Sequence, residues 1–296
     1  MSNNKINLVN NDSIVKNKIV NHYNNLLPDD SLALHFGFYE RGVRTLSDAE
    51  LNMNNYIGRL LDLDTLGTTD SKILDAGCGV GGTSIYLAKK YRNIKFVGIT
   101  LVPRQVDLAN KFALEKGVST NTEFILGDYC ETGLPDNSFS HVFAIESACY
   151  STDKKRFIQE VARVLKSNGK FVILDGFVRG KKSNYFVQVA YRYYCDGWAV
   201  SDFIVIDEFL SHLKDVGFDD VKVRDITNNI LLFMLIGWFR GLAYFLFATP
   251  SKKRKKKKSS NKNPFTYFII KVFSPILILL SHKLRYIAIT SVKKPK

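Results

Sequence analysis

Between Lys72 and Phe177 short apolar runs alternate with stretches whose apolar residues recur at helical spacing. "SKILDAG" predicts a buried strand ending in a glycine turn. "GGTSIYLAKKY" predicts a short helix with Ile85 and Ala88 on one face. "NIKFVGIT" reads as a second strand. "VPRQVDLANKFALEKG" follows as a helix, with Pro103 in its first turn, Val106, Ala109 and Ala113 on one face and Gly117 as its stop. "TEFILGD" and "FSHVFAIES" predict the third and fourth strands. "DKKRFIQEVARVLKSNG" predicts a helix capped by Asp153, facing Phe157, Val161 and Val164 inward and ending with Gly169 just past its last turn. "KFVILDGF" is the fifth strand. Downstream, "DEFLSHLKDVGF" reads as a helix, and "DDVKVRDI" and "LRYIAITSV" as two more strands. Seven strands alternating with helices imply right-handed crossovers and an α/β fold with a doubly wound, mostly parallel sheet.

Two regions break the alternation. Tyr185 to Ser201 is aromatic-rich, and Ile230 to Ile278 holds two apolar stretches around the basic run "KKRKKKK", Lys252 to Lys258. The first of these stretches, "ILLFMLIGWFRGLAYFLFA", is about long enough to span a bilayer but has Arg240 at its centre. The second, "PFTYFIIKVFSPILILL", carries Lys271 and Pro275. Both read better as interfacial or cap helices than as spans. The expected organisation is a flexible leader over residues 1–20 and a core with an N-terminal lid over 21–229. An apolar cap or membrane-surface insertion over 230–282 and a last core strand and tail over 283–296 complete it.

Composition changes this picture in two places. Of the net charge of +14, seven charges sit in the one run, and removing them leaves +7. A block of like charge is usually a solvated loop; an anionic membrane surface is the next reading, because apolar segments flank it. The four cysteines, Cys78, Cys130, Cys149 and Cys195, form no CxxC pair and no zinc-like spacing, so reduced thiols in an intracellular protein and no metal are expected. The Asn-rich start lacks an apolar run of secretory type, and the expected location is cytoplasmic or peripheral on a membrane.

The candidate chemistry begins at "ILDAGCGVGGTS", Ile73 to Ser84. Four of the chain's 19 glycines fall within six positions there. Glycines after a first parallel strand permit positive φ and close approach of a ligand, and the following helix offers free N–H groups. A tight strand-to-helix turn would use the same residues. No Gly-Lys-Ser/Thr follows, which excludes a P-loop. Gly77, Gly79 and Gly81 fall one residue short of the dinucleotide spacing GxGxxG.

"ILDAGCGVGG" resembles the first motif of class I S-adenosylmethionine-dependent methyltransferases. "GDYCETGLPDNSFSHVFAIES" and "FIQEVARVLKSNGKFVILD" resemble the later segments of that family in order and spacing. The resemblance implies a Rossmann-like methyltransferase fold with S-adenosyl-L-methionine as cofactor. It implies Asp75, Gly77, Cys78, Gly79 and Gly81 around the cofactor's amino-acid part and Asp128 at its adenine. The family's usual acid at the end of the second strand is missing, because "GITLVPRQ" places Thr100 there. That variant is similar to a narrower branch, the tocopherol and sterol C-methyltransferases and the cyclopropane fatty acid synthases, in which Thr100 and Gln105 would face the cofactor. "LHFGFYE", "IESACYSTDK" and "RYIAITSVKKP" resemble the same branch.

The resemblance implies a lipophilic small-molecule acceptor, tocopherol-like or sterol-like, methylated at carbon. Methyl transfer requires positioning and exclusion of water, and a carbon nucleophile must then lose a proton. Glu146 and His35 are the candidate bases; Tyr39 and Tyr150 are candidates to orient the acceptor. The place of an Asn/Asp-Pro-Pro-aromatic motif for nucleic-acid bases is taken by "ESACY", so no nucleic acid is expected. Cyclopropane-type transfer to acyl chains and methylation of another small natural product remain as alternatives. Outside enzymes, so does a non-catalytic cofactor- or RNA-binding protein.

Overall fold

The structure, a computed structural model, describes residues 2–24, 32–66, 71–180, 184–247 and 283–295. The chain first forms helices α1 (Ser2–Tyr23) and α2 (Leu46–Leu60). The alternating part follows as β1 (Lys72–Ala76), α3 (Gly82–Lys90), β2 (Lys95–Thr100), α4 (Pro103–Glu115), β3 (Thr122–Leu126), β4 (Phe139–Ile145), α5 (Lys154–Val164) and β5 (Leu165–Val178). Helix α6 (Tyr185–Trp198), the two-residue strand β6 (Ile204–Val205), α7 (Ile206–Val216), β7 (Phe218–Asp225), α8 (Thr227–Phe247) and β8 (Leu284–Lys293) complete it.

The strands lie in the order β3-β2-β1-β4-β5-β8-β7, with β6 beside β5. The first five are parallel; β8 runs antiparallel to both β5 and β7. The seven expected strands are therefore present, and β6 is an eighth. Alternation along each strand builds a core on both faces. On β1, Ile73 packs with Met53 and Ile57 of α2, whereas the next residue, Leu74, joins Phe157 of α5 and Phe209 of α7 on the other face. Strand order reverses between β1 and β4, whose residues Asp75 and Phe143 are in register. Ligands of doubly wound sheets bind at such a switch point, beyond the carboxyl ends of the strands.

Local chemistry explains the helix ends. Asp153 caps α5 by accepting from the Arg156 N–H, and Pro103 opens α4. Thr45 and Asp48 form a reciprocal capping box on α2. Gly169 does not end α5 as expected. The chain passes directly from Val164 into extended backbone, and the left-handed turn falls on Asn168 (φ 61°). Gly169 is needed for space instead, since a Cβ there would lie 2.8 Å from the Ser140 carbonyl oxygen.

The leader expected to be flexible is helix α1, and its end packs on the core. Ile19 is buried, Lys16 pairs with Asp128 at 2.7 Å, and the Tyr23 hydroxyl lies 2.6 Å from that of Tyr150. The boundary expected at residue 230 falls inside α8, where Ile230 is buried, as is Ile226 just before the helix. The basic run and the second apolar stretch lie outside the described residues.

Candidate active site

Two adjoining cavities open beyond the carboxyl ends of β1, β2 and β4. The first, about 780 Å³ counting space open to solvent, is lined by Asp75, Gly77, Cys78, Gly79, Thr100 and Gln105 among others. The glycine loop has the predicted left-handed backbone at Gly77 (φ 99°), Gly79 (φ 54°) and Gly81 (φ 81°). Protein neighbours, as well as any ligand, demand these glycines. A Cβ on Gly77 would meet Ser147 Cβ at 2.3 Å, and one on Gly81 would meet the Phe124 ring at 2.6 Å. Gly81 caps α3 and packs on Phe124; it does not line the cleft.

Asp75 is buried at the end of β1. Ser84 donates to its Oδ2 at 2.7 Å, while Oδ1 has no partner. Burial pushes its carboxyl up to about 7, against the Ser84 hydrogen bond. Such an atom facing a cleft suits a cationic group. At the end of β2 the Thr100 hydroxyl donates to Gln105 Oε1 at 2.6 Å, and both side chains are buried. A neutral hydrogen-bonded pair thus occupies the position of the missing acid.

The structure places Asp128 differently from expectation. Its Oδ1 accepts from the Cys130 N–H, its Oδ2 pairs with Lys16 of α1, and it stands outside the cleft lining. Ile19 and Tyr23 of α1, absent from the expected site, do line the cleft.

The second cavity, about 1250 Å³ on the same measure, has walls from α6 (Tyr194, Trp198), α8 (Ile230, Phe233, Met234) and β8 (Leu284, Tyr286), with Asp175 at its floor. Five residues line both cavities: Tyr23, Leu34, His35, Glu146 and Tyr150. Glu146 follows β4 with a left-handed backbone (φ 48°), uncommon for a residue with a side chain. Its Oε1 accepts from the Phe36 N–H at 2.7 Å and the Tyr286 hydroxyl at 2.6 Å. Burial pushes the carboxyl up to about 8; the two donors pull it down, and the nearby charge of Asp175 pushes it up. Asp175, held by the N–H groups of Cys149 and Gly176, is raised to about 6, burial again being the largest cause.

The other candidates separate. Both ring nitrogens of His35 face protein oxygens, Nδ1 the Phe36 carbonyl and Nε2 Asn54 Oδ1, each at 3.0 Å, and burial lowers its pKa against those two contacts. Both nitrogens are thus turned to the protein, and the ring builds the wall. Tyr39 lines neither cavity; its hydroxyl lies near Asp48 and Glu50 of α2. Tyr150 does face the junction, and its hydroxyl donates to the Trp198 carbonyl at 3.1 Å. Tyr286 lies within "RYIAITSVKKP", but nothing in that stretch marks its hydroxyl as the partner of a carboxylate 140 positions earlier. Ser147, whose hydroxyl donates to the Ala76 carbonyl, adjoins Glu146 and had only that signal.

Residues 74–173 match the model of a methyltransferase domain family. The chain is 31% identical over 206 residues to norajmaline N-methyltransferase of Rauvolfia serpentina, a match covering 66% of this chain and 70% of that protein. It is 30% identical over 216 residues to "Probable tocopherol O-methyltransferase, chloroplastic" of Oryza sativa subsp. japonica, covering 68% of this chain. The chain spans 58% of that relative's length. Geranyl diphosphate C-methyltransferase of Streptomyces coelicolor A3(2), solved with S-adenosyl-L-homocysteine, has the same fold, with a TM-score of 0.72 at 18% identity over 94% of this chain and 97% of that one. The chain belongs to the class I S-adenosylmethionine-dependent methyltransferases. Within that family it resembles the tocopherol and sterol methyltransferase branch.

The first cavity fits the family's cofactor. Asp75 Oδ1 is an unpaired buried acceptor that could take an ammonium group, Gly77 and Gly79 bring backbone without side chains to the cavity wall, and Thr100 and Gln105 offer polar atoms without an added charge.

Proposed function

We propose that the chain methylates a lipophilic small molecule, a tocopherol-like prenylated aromatic or a sterol-like acceptor, at carbon. The first cavity holds S-adenosyl-L-methionine and the second holds the acceptor. The observation that carries this reading is Glu146, which lines both cavities at their junction. The cofactor supplies an electrophilic methyl group on sulfonium. Asp75 anchors it through the free Oδ1, and Thr100 and Gln105 meet its polar middle. Phe36, Phe233, Tyr194 and Trp198 offer apolar walls that orient a bulky acceptor and keep water away. Glu146 then accepts the proton that the methylated carbon must lose. Its raised pKa suits a base working near neutral pH. Tyr150 and His35 line the same junction and complete its wall.

The test is incubation of the protein with methyl-labelled cofactor and a lipid extract, followed by identification of the labelled product and of the carbon that carries it. Loss of label transfer in Glu146→Gln, with S-adenosylhomocysteine binding kept, is the expected result. Label that appears only in polar or polymeric products would reject the acceptor class.

A further inference from the structure

Every exposed large aromatic side chain among the described residues belongs to the two helices that wall the second cavity. Tyr185 (74% exposed), Phe186 (75%) and Trp198 (42%) are on α6, and Phe239 (59%) is on α8. The same helices turn Tyr194, Ile230, Phe233 and Met234 toward the cavity, and the half-exposed Trp198 lines it as well. From Leu231 to Phe239 helix α8 contains no charged residue, yet none of these side chains is fully buried. A helix that is apolar all round normally sits inside a protein or in lipid. Among the described residues no helix is long and apolar enough to cross a membrane.

We propose that the outer faces of α6 and α8 dock on the surface of an anionic bilayer and that the acceptor enters the second cavity from that bilayer. Tyrosine and tryptophan are the side chains that favour the headgroup boundary, and phenylalanine adds apolar area below it. The charge of the chain selects anionic lipid. Five residues past Phe247 the sequence carries seven consecutive cations, half of the net +14. A dimer interface would explain the aromatic residues and leave those cations without a role; a nucleic acid would explain the cations and leave the aromatic rim without one. The acceptor's route rests on the lipophilic-acceptor reading above, whereas docking itself is read without turnover, so the two fail separately.

The experiment is co-sedimentation of the full chain with vesicles of phosphatidylcholine alone or with phosphatidylserine added, at about 0.15 M salt. Binding at least roughly tenfold tighter to the anionic vesicles is expected. Phe186→Ser combined with Phe239→Ser should lower partition into both vesicle types by roughly tenfold. Neither residue lines a cavity, and calorimetry should show S-adenosylhomocysteine affinity unchanged in the double variant. Failure to sediment with anionic vesicles overturns the proposal, as does equal sedimentation of the native chain and the double variant. A dimer dissolved by Phe239→Ser, or RNA binding that outcompetes the vesicles, would assign the surface to a different partner and also overturn it.

Discussion

The Tyr286 hydroxyl donates to Glu146 Oε1 over 2.6 Å, joining the last strand of the sheet to the residue that follows β4. Its partner on the same oxygen is the Phe36 N–H, so the carboxyl is held from two directions at the junction of the cavities. Both donors favour the ionised form, against the larger effect of burial. Tyr286→Phe removes one donor and should move the Glu146 pKa further above about 8. The alkaline-rising limb of kcat should move to higher pH, and kcat at pH 7 should fall roughly tenfold for every pH unit the limb travels. Glu146→Gln should abolish the limb and lower kcat by about 10²–10⁴-fold. A uniform loss in Tyr286→Phe without movement of the limb would make this tyrosine a packing residue only.

Asp75 links cofactor binding to pH. Burial holds its carboxyl up to about 7, so much of it is protonated in the free protein near neutrality. An ammonium group binds the ionised form. Affinity for S-adenosylhomocysteine should therefore rise with pH toward about 7, by up to tenfold per pH unit, and level off above it. In the ligand-free protein the sign is reversed. A carboxyl with a raised folded pKa stabilises the fold while protonated, and that contribution is lost as pH rises from about 3.9 through about 7. Asp75→Asn should flatten the binding profile, weaken binding at pH 8 and make the ligand-free protein more stable there. Calorimetry and urea titration at pH 5.5 and 8 test both halves; a slope that survives in the variant would assign the linkage elsewhere.

Much of the scaffold is readable in the sequence because its signals are local. The apolar runs of β1, β2, β4 and β5 are mostly buried strands, β3 is an edge strand with only Phe124 buried, and Asp153 and Pro103 act where their chemistry says they should. The capping pair Thr45 and Asp48 was a usable sign of α2. The site was readable in part. Asp75, Gly77 and Glu146 lie within motifs, whereas the Tyr286–Glu146 bond spans 140 positions and has no local sign. Tyr39 and Tyr150 were alike as sequence; only the path of residues 35–40 over α2 separates them, sending Tyr39 toward Asp48 and leaving Tyr150 at the junction. α1 looked unstructured because its early residues are polar, and what seats it is tertiary, namely Ile19, Lys16 and Tyr23 meeting the rim of the cleft.

Gly77 and Gly42 share nearly the same φ, 99° and 96°, but differ in surroundings. A Cβ on Gly42 meets nothing within 4 Å, whereas one on Gly77 meets Ser147 at 2.3 Å. Gly42→Ala should cost about 1–2 kcal/mol from backbone strain alone. Gly77→Ala should cost about 1–3 kcal/mol more, from the overlap, and should also displace Ser147 beside Glu146. Urea denaturation of the two variants separates the two effects. Equal losses would show that the loop relaxes without disturbing the cleft.

Lys16 and Asp128 set up the last expectation, because the carboxylate assigned to the cofactor's adenine by resemblance is occupied by α1. Lys16 Nζ lies 2.7 Å from Asp128 Oδ2 and 2.6 Å from Asp12 Oδ2, so one lysine bridges the helix and the loop after β3. Such partly exposed pairs contribute about 0–1 kcal/mol each, little enough for a ligand to displace. If adenine takes the place of Lys16, Lys16→Ala should tighten S-adenosylhomocysteine binding by up to about fivefold, since no ion pair then has to break. Asp128→Asn, which also loses the pair, should weaken binding, because the carboxylate that would accept from the adenine amine is gone. The two variants therefore move affinity in opposite directions although both remove the same bridge. Parallel changes would mean that the bridge acts only by holding α1 over the cleft, with Ile19 and Tyr23 as the parts that matter to the ligand. Calorimetry on both variants, with helix content checked by circular dichroism, distinguishes the two outcomes.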